Sequence, residues 1–192
     1  MRGSRLDRKR LKSVVRRKSD SQQHSSLGGA RSGKTRFALD LAQSAKAKPI
    51  YVATGTAFDD EMRDRIARHV EERGPEWTTI EEPLGLPAVI MRHARPETIL
   101  LVDCLTLWLN NLMYHERDVA AATTALGETL KMAKGRVILV SNEIGFGLVP
   151  ETPLGRAFRD AQGRLNQSIA KVASHATLVV AGLPVVLKAP SD

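Results

Sequence analysis

The sequence predicts an α/β fold of three layers, in which helices cover both faces of a mainly parallel sheet. Short apolar, β-branched runs alternate with helical patterns, a glycine-rich loop opens the first helix, and polar residues follow several of the runs. Such alternation is typical of βα units joined into a parallel sheet. With 192 residues, 42% of them hydrophobic, the chain is long enough for one domain with a substantial core.

Four runs are predicted to form parallel strands, at residues 49–54, 98–103, 136–141 and 177–182. A fifth run, 185–188, follows Gly-Leu-Pro and is predicted as an edge strand paired through a turn. Helical patterns occupy 36–42, 59–73 and 105–109. The helix at 59–73 has acidic residues in its first turn and ends at Arg-Gly-Pro.

The glycine-rich loop has the pattern G-x-x-x-x-G-K-[ST]. Its residues are Gly28, Gly29, Ala30, Arg31, Ser32, Gly33, Lys34 and Thr35. In this pattern backbone N–H groups surround phosphate oxygens, the lysine reaches the β- and γ-phosphates, and the hydroxyl can ligate Mg²⁺. We therefore expect a nucleoside triphosphate here, with Lys34 as a catalytic residue and Thr35 as a metal ligand. A helix-entry loop without this function is the alternative.

The residues before this loop do not have the pattern of a buried strand. Asp20–Leu27 are polar with one apolar side chain, whereas a central parallel strand is usually a near-continuous apolar run. Residues 1–26 also carry nine basic and two acidic side chains, which leaves 20 basic and 19 acidic residues for the rest of the chain. Either the strand is present and poorly encoded, or residues 1–26 are not the native lead-in to the domain. We favour the second interpretation and expect 1–26 to be a basic, disordered segment and 27–192 to be the nucleotide-binding domain.

Other features of the composition indicate where in the cell the protein is expected. The basic segment lacks the apolar core of a secretory signal, and no run is long enough to cross a membrane, which predicts a cytoplasmic protein. Cys104 is the only cysteine, so no internal disulfide can form, and we expect it to pack as a small apolar residue. Because the net charge of +8 comes mainly from the tail, no nucleic-acid partner is expected.

Polar residues at the strand ends are candidates for the site, because ligands of open α/β sheets bind beyond the carboxyl ends of the strands. Asp103 ends one predicted strand and is placed to act as the Mg²⁺ carboxylate of a nucleotide enzyme. It could also cap the helix that begins at Leu105. On periodicity alone, His69 lies beside the buried stripe of the helix at 59–73, which favours a hydrogen-bonded boundary histidine.

Seven motifs in order resemble one enzyme family, that of the bifunctional adenosylcobinamide kinase / adenosylcobinamide-phosphate guanylyltransferases of cobalamin biosynthesis. They are Gly28–Thr35, Tyr51–Thr54, Asp59–His69, Trp77–Pro83, Leu101–Leu112, Ser141–Pro150 and Arg156–Gln167. The resemblance implies a P-loop NTPase-like (RecA-like) fold. It also implies phosphorylation of adenosylcobinamide by GTP or ATP, followed by transfer of GMP from GTP to the phosphate.

The same resemblance implies the roles of individual residues. His69 would carry GMP covalently, because a neutral imidazole can attack the α-phosphorus. The residues implied near guanine nucleotide, besides the P-loop, are Thr54, Gly55, Thr56, Val70, Glu71, Glu72, Arg73, Glu81 and Asp103. Glu81 or Glu82 could accept from the N1–H and amino group of guanine, although a solvated acidic pair is the alternative. The family also implies a trimer, which the sequence itself leaves open.

Two other functions remain open on the sequence. One is a P-loop small-molecule kinase without guanylyl transfer, in which His69 is structural. The other is a non-enzymatic nucleotide-binding or RNA-binding protein that depends on the basic tail. In place of the apolar strand of the family this chain has polar residues, so we expect lower stability or activity than in an intact relative.

Overall fold

The computed structural model describes residues 22–55 and 74–190 of the chain. Within them, seven strands form one sheet in the order β3-β2-β4-β5-β1-β6-β7. The strands are β1 Gln23–Gly28, β2 Lys48–Ala53, β3 Thr78–Glu81, β4 Thr98–Asp103, β5 Arg136–Asn142, β6 His175–Val180 and β7 Leu183–Lys188. All neighbouring pairs are parallel except β6 and β7, which are antiparallel. The predicted parallel sheet with a final edge strand is confirmed.

Five helices of the described residues cover the sheet. They are α1 Lys34–Gln43, α2 Leu86–His93, α3 Leu105–Tyr114, α4 Val119–Met132 and α5 Pro153–Val172. α1 packs on one face, where its apolar side chains meet β2, β4 and β5, and the other four helices build the larger core on the opposite face. The arrangement has the three layers that alternating strand and helix patterns predict.

The strand before the glycine-rich loop is present, so the expectation that it is lost is wrong. β1 is central, paired in parallel with β5 on one side and β6 on the other, and all six of its residues are buried. Two of its polar side chains are paired: His24 Nε2 lies 3.1 Å from Thr177 Oγ1, and Ser26 Oγ donates to the Lys34 carbonyl at 3.3 Å. The Ser25 hydroxyl and Gln23 Oε1 are buried without a hydrogen-bond partner among the described residues. The predicted boundary between residues 26 and 27 therefore falls inside β1.

Two further differences concern the sheet. β3 was not predicted, because this short edge strand is largely exposed and has no apolar run. β6 begins at His175, two residues before the predicted strand, and its turn into β7 places Ala181 and Gly182 at positive φ. The predicted helix at 59–73 lies outside the described residues. Among the helices that are described, none is long and apolar enough to span a membrane.

Candidate active site

The glycine-rich loop connects the end of β1 to the start of α1, as the motif predicts. Arg31 and Gly33 have positive φ values of 53° and 92°, and the Phe37 amide donates to the Gly33 carbonyl at 3.0 Å, which starts the helix. Lys34 is buried, and its Nζ donates to the Gly29 carbonyl at 3.1 Å, so the ammonium group folds back over the loop. This places a cation and the N-terminus of a ten-residue helix at the same point.

Two glycines of the loop are required by close contacts. A Cβ on Gly28 would collide with the Ser32 hydroxyl and lie 2.7 Å from the Val179 carbonyl oxygen. A Cβ on Gly33 would lie 3.2 Å from Cα of Gly182, and the positive φ of Gly33 already disfavours a side chain. The Gly182 amide also donates to the Ser32 carbonyl at 2.8 Å, so the β6–β7 turn supports the loop from outside.

Asp103 lies at the same edge of the sheet, at the end of β4. Its Oδ2 accepts a hydrogen bond of 2.8 Å from the Tyr51 hydroxyl, which fixes the half-buried carboxylate. Only β5 separates β4 from β1, and Gly28 extends two residues further along the sheet than Asp103, so the two strand ends are about 12 Å apart. The N-cap residue of α3 is Cys104, so Asp103 lies one position before the helix cap.

The Cys104 thiol is buried, directly after Asp103 at the start of α3. Burial raises its pKa to about 11; the Asp103 carboxylate adds to the rise, and the Lys34 ammonium opposes it. The thiol is therefore neutral at physiological pH, and Cys104 packs in the core as predicted.

The hydroxyl of Thr54, at the end of β2, is used in structural hydrogen bonds. Its Oγ1 donates to the Cys104 carbonyl at 2.7 Å and accepts from the Cys104 amide at 2.8 Å, and the residue is fully buried. Asn111 of α3 adds a second link, donating from Nδ2 to the carbonyls of Thr54 at 2.7 Å and Pro83 at 3.2 Å. These contacts join the ends of β2 and β4 to the segment after β3. Asn111 was not predicted as a site residue, although a pair of amides, Asn110 and Asn111, on the otherwise apolar helix 105–112 is a usable signal.

The two glutamates that end β3 differ in environment. The Glu82 carboxylate accepts from the amides of Leu84 at 3.0 Å and Gly85 at 2.6 Å, which places it at the entrance of α2. Glu81 is exposed and pairs in register with Ala53 at the end of β2. Of the two glutamates proposed for guanine recognition, Glu81 is therefore the one whose carboxylate is not used to cap this turn.

The end of β5 connects the P-loop to the start of α5. The Glu143 amide donates to the Gly28 carbonyl at 3.0 Å. Below it, Ser141, Gln162 and Asn166 form a buried network, in which Ser141 Oγ donates to Asn166 Oδ1 at 2.7 Å and Gln162 Nε2 donates to Ser141 Oγ at 3.0 Å. Gln162 and Asn166 were missed in the sequence, because a polar pair one turn apart on a helix usually indicates solvent.

The remaining predicted site residues lie outside the described residues. These are His69, the proposed nucleophile, together with Thr56, Val70, Glu71, Glu72 and Arg73. Their roles stay predictions. Within the described ranges, the structure brings Gly28–Thr35, Thr54, Gly55, Glu81 and Asp103 to one edge of the sheet.

Comparison with known proteins gives a consistent result. A family model described as cobinamide kinase / cobinamide phosphate guanyltransferase matches residues 26–187. The chain is 47% identical over 164 residues to the bifunctional adenosylcobalamin biosynthesis protein CobP of Pseudomonas aeruginosa, covering 84% of this chain and 95% of that protein. It is 35% identical over 176 residues to the bifunctional adenosylcobalamin biosynthesis protein CobU of Escherichia coli, covering 84% and 97%.

A solved structure supports the fold. The crystal structure of the flagellar accessory protein FlaH from Methanocaldococcus jannaschii matches with a TM-score of 0.54 and 14% identity, over 95% of this chain and 84% of that one. At this identity the likeness concerns the fold alone. Together with the sheet order, it confirms the predicted RecA-like, P-loop arrangement.

Proposed function

We propose that this chain, which belongs to the cobinamide kinase / cobinamide phosphate guanyltransferase family, carries out both reactions at the edge where its parallel strands end. In the first, a nucleoside triphosphate phosphorylates the aminopropanol hydroxyl of adenosylcobinamide. In the second, GTP donates GMP to that phosphate and pyrophosphate leaves. The observation that carries the proposal is the convergence of the complete P-loop and Asp103 at this edge.

The P-loop would hold the triphosphate through its amides and Lys34. The lysine would exchange its contact with the Gly29 carbonyl for the phosphates, because a charge-assisted hydrogen bond is stronger than one to a neutral carbonyl. Thr35 and Asp103 offer the oxygen ligands that Mg²⁺ prefers, and few protein ligands suffice because the ion keeps several waters. Bound there, Mg²⁺ would neutralise phosphate charge.

The kinase step requires the substrate hydroxyl in line with the γ-phosphorus. The hydroxyl oxygen forms the new P–O bond and loses its proton to water, while the bond to the β-phosphate oxygen breaks and the nucleoside diphosphate leaves. Lys34, at the N-terminus of α1, would stabilise the charge on the leaving phosphate. Positioning and electrostatic stabilisation supply most of the catalysis in phosphoryl transfer.

For the second reaction we assign His69 as nucleophile, on the family resemblance of its segment. The neutral imidazole would attack the α-phosphorus of GTP, forming a P–N bond as pyrophosphate leaves. The phosphate oxygen of the corrinoid would then attack the same phosphorus and release the imidazole. Dividing the transfer lets one site accept the nucleotide and the bulky corrinoid in turn. Glu81 would accept from the guanine base, which would favour GTP over ATP in this step.

Incubation with α-labelled GTP tests the guanylyl step directly. We expect covalent label on the wild-type protein, stable to alkali and discharged by cobinamide phosphate. His69→Ala should lose the label and keep kinase activity, whereas His115→Ala, which removes an exposed histidine at the end of α3, should keep both. Absence of label in a protein that still phosphorylates cobinamide would indicate a kinase without guanylyl transfer.

A second set of variants tests the P-loop and the tail. Lys34→Ala should weaken triphosphate binding on the order of 100-fold, since it removes a charged partner of the phosphates. Removal of residues 1–21 should leave corrinoid turnover intact. If that truncation abolished the only measurable binding, a nucleic-acid-binding protein would be the better description. We further propose a cytoplasmic homotrimer that uses either ATP or GTP in the kinase step.

A further inference from the structure

The loop between β5 and α5, residues 143–152, exposes large apolar side chains beside the P-loop. Phe146 is 85% exposed, Leu148 is 96% exposed and Val149 is 64% exposed, and Leu154 in the first turn of α5 is 70% exposed. Single exposed apolar residues are common on protein surfaces, but a contiguous group marks a binding surface. This group lies within nine residues of one another in the chain.

The β5–α5 loop is held at both ends by hydrogen bonds. At its start, the Asn142 carbonyl accepts from Asn166 Nδ2 at 3.0 Å, and the Glu143 carboxylate accepts from the Gly145 amide at 2.8 Å. At its end, Arg156 Nη1 donates to the carbonyls of Pro150 at 3.0 Å and Glu151 at 2.6 Å. The exposed side chains are therefore presented by an anchored backbone.

The position of the loop relates it to the acceptor of the kinase reaction. The Glu143 amide donates to the carbonyl of Gly28, the first residue of the P-loop, at 3.0 Å. Three residues span at most about 10 Å, so Phe146 lies within that distance of Glu143. Leu148, five residues from Glu143, lies within about 17 Å of it. A molecule that packs on these two side chains would therefore lie at the same edge of the sheet as the P-loop.

We propose that the β5–α5 loop binds the corrin ring of the acceptor, with Phe146 and Leu148 packed against its apolar face. This inference rests on the proposed function. A corrinoid has a broad ring that carries many methyl groups, with polar amides at its rim and the reacting hydroxyl at the end of a flexible arm. An apolar surface separated from the P-loop by the length of this flexible arm would hold the ring while the hydroxyl reaches the γ-phosphorus. The nucleotide, in contrast, is recognised by polar groups on the P-loop.

The test is a double variant, Phe146→Ser/Leu148→Ser, in the full-length protein. Both side chains are almost fully exposed, so their loss removes little internal packing. We expect the KM for cobinamide to rise at least about tenfold, while the affinity for GTP and the KM for nucleotide stay within about twofold. Equilibrium dialysis of cobinamide itself, followed by its visible absorbance, should show the same loss.

A matched control is Met91→Ser/Met132→Ser. These methionines are also exposed, at 44% and 58%, but they lie near the ends of α2 and α4, at the opposite edge of the sheet. This control should leave the KM for cobinamide unchanged. An unchanged KM for cobinamide in the loop variant would overturn the proposal. A changed assembly state of the loop variant, measured by sedimentation velocity, would also overturn it, because it would identify the loop as a contact between copies of the chain. A wild-type protein that does not phosphorylate cobinamide would instead refute the proposed function.

Discussion

The stacked histidines at the start of β1 predict a loss of stability in mild acid. The rings of His24 and His175 lie 5.5 Å apart and nearly parallel, and both residues are buried. Burial, and then the neighbouring His175, lower the pKa of His24 from 6.5 to about 3, and burial also lowers the pKa of His175. The cavity around them is lined by Arg136 of β5, Leu41 of α1, Ser44 just after α1 and Ile99 of β4, and none of the described residues that line it has a carboxylate to stabilise a charged ring.

The direction of the effect follows from the two states. Between pH 6.5 and about 3 the unfolded chain binds a proton at His24 and the folded chain does not, so stability falls as the pH falls. At pH 4.5, two pH units below the unfolded pKa, the loss is about 2.7 kcal/mol, at about 1.4 kcal/mol for each unit. Above pH 6.5 the uncharged His24 no longer lowers the free energy of unfolding, and His175 affects stability in the same direction as His24.

Urea unfolding at pH 7.0 and 4.5, followed by tryptophan fluorescence, measures this difference. The comparison variant is His24→Val/Thr177→Val, which replaces both partners of the 3.1 Å contact so that no buried hydroxyl is left unpaired. The free energy of unfolding should fall between pH 7.0 and 4.5 in both proteins, and the fall should be about 2 to 3 kcal/mol smaller in the double valine variant than in the wild type. His115→Ala, at an exposed histidine, should behave as the wild type. Equal losses in the wild type and the double valine variant would refute the reasoning.

Two further predictions concern the strands around the P-loop. Thr54→Val removes both hydrogen bonds with the Cys104 backbone, so it should destabilise the fold by about 1 to 3 kcal/mol and raise the KM for GTP. Thr54→Ser, which keeps the hydroxyl, should retain the wild-type stability and KM. Thermal unfolding and steady-state kinetics measure the two properties. Ser25→Val should raise the melting temperature, measured by circular dichroism, because the Ser25 hydroxyl is buried without a hydrogen-bond partner among the described residues. A lower melting temperature would mean that the hydroxyl is satisfied after all.

The sequence predicts those features whose determinants lie close together in the chain. The P-loop, the four inner strands that carry apolar runs, and the turn into β7 all depend on residues within about ten positions of one another. Asp103 and Thr54 were placed correctly at strand ends. Whether Thr54 would contact a ligand or the backbone of Cys104 depended on a contact 50 residues away, which periodicity does not reveal.

β1 was misjudged for the same physical reason. A polar strand can be central when its backbone is paired on both sides and some of its polar groups meet partners. The partners of the His24 ring and of the Gln23 backbone carbonyl lie more than 150 residues later in the chain. The Ser174 hydroxyl donates to the Gln23 carbonyl at 3.0 Å, and the Thr177 hydroxyl contacts the ring of His24. A sequence pattern predicts a buried strand from its apolar residues alone. A strand whose buried polar groups are paired with distant residues is therefore predicted to be exposed to solvent.

The polarity of β1 also bears on how the P-loop is supported. The loop begins at Gly28, and the backbone of β1 is hydrogen-bonded on both sides, to β5 and to β6, whatever its side chains are. The loop geometry therefore depends on the strand's backbone, on the hydrogen bond between the Glu143 amide and the Gly28 carbonyl, and on the Ser26 hydroxyl, which donates to the Lys34 carbonyl. The side chains of Ser25 and His24 act instead on the free energy of unfolding, since a buried polar group contributes little when paired and costs free energy when unpaired. Substitutions at Ser25 and His24 should consequently change stability while leaving nucleotide affinity nearly constant, and a parallel change in both would show that β1 does more than anchor the loop.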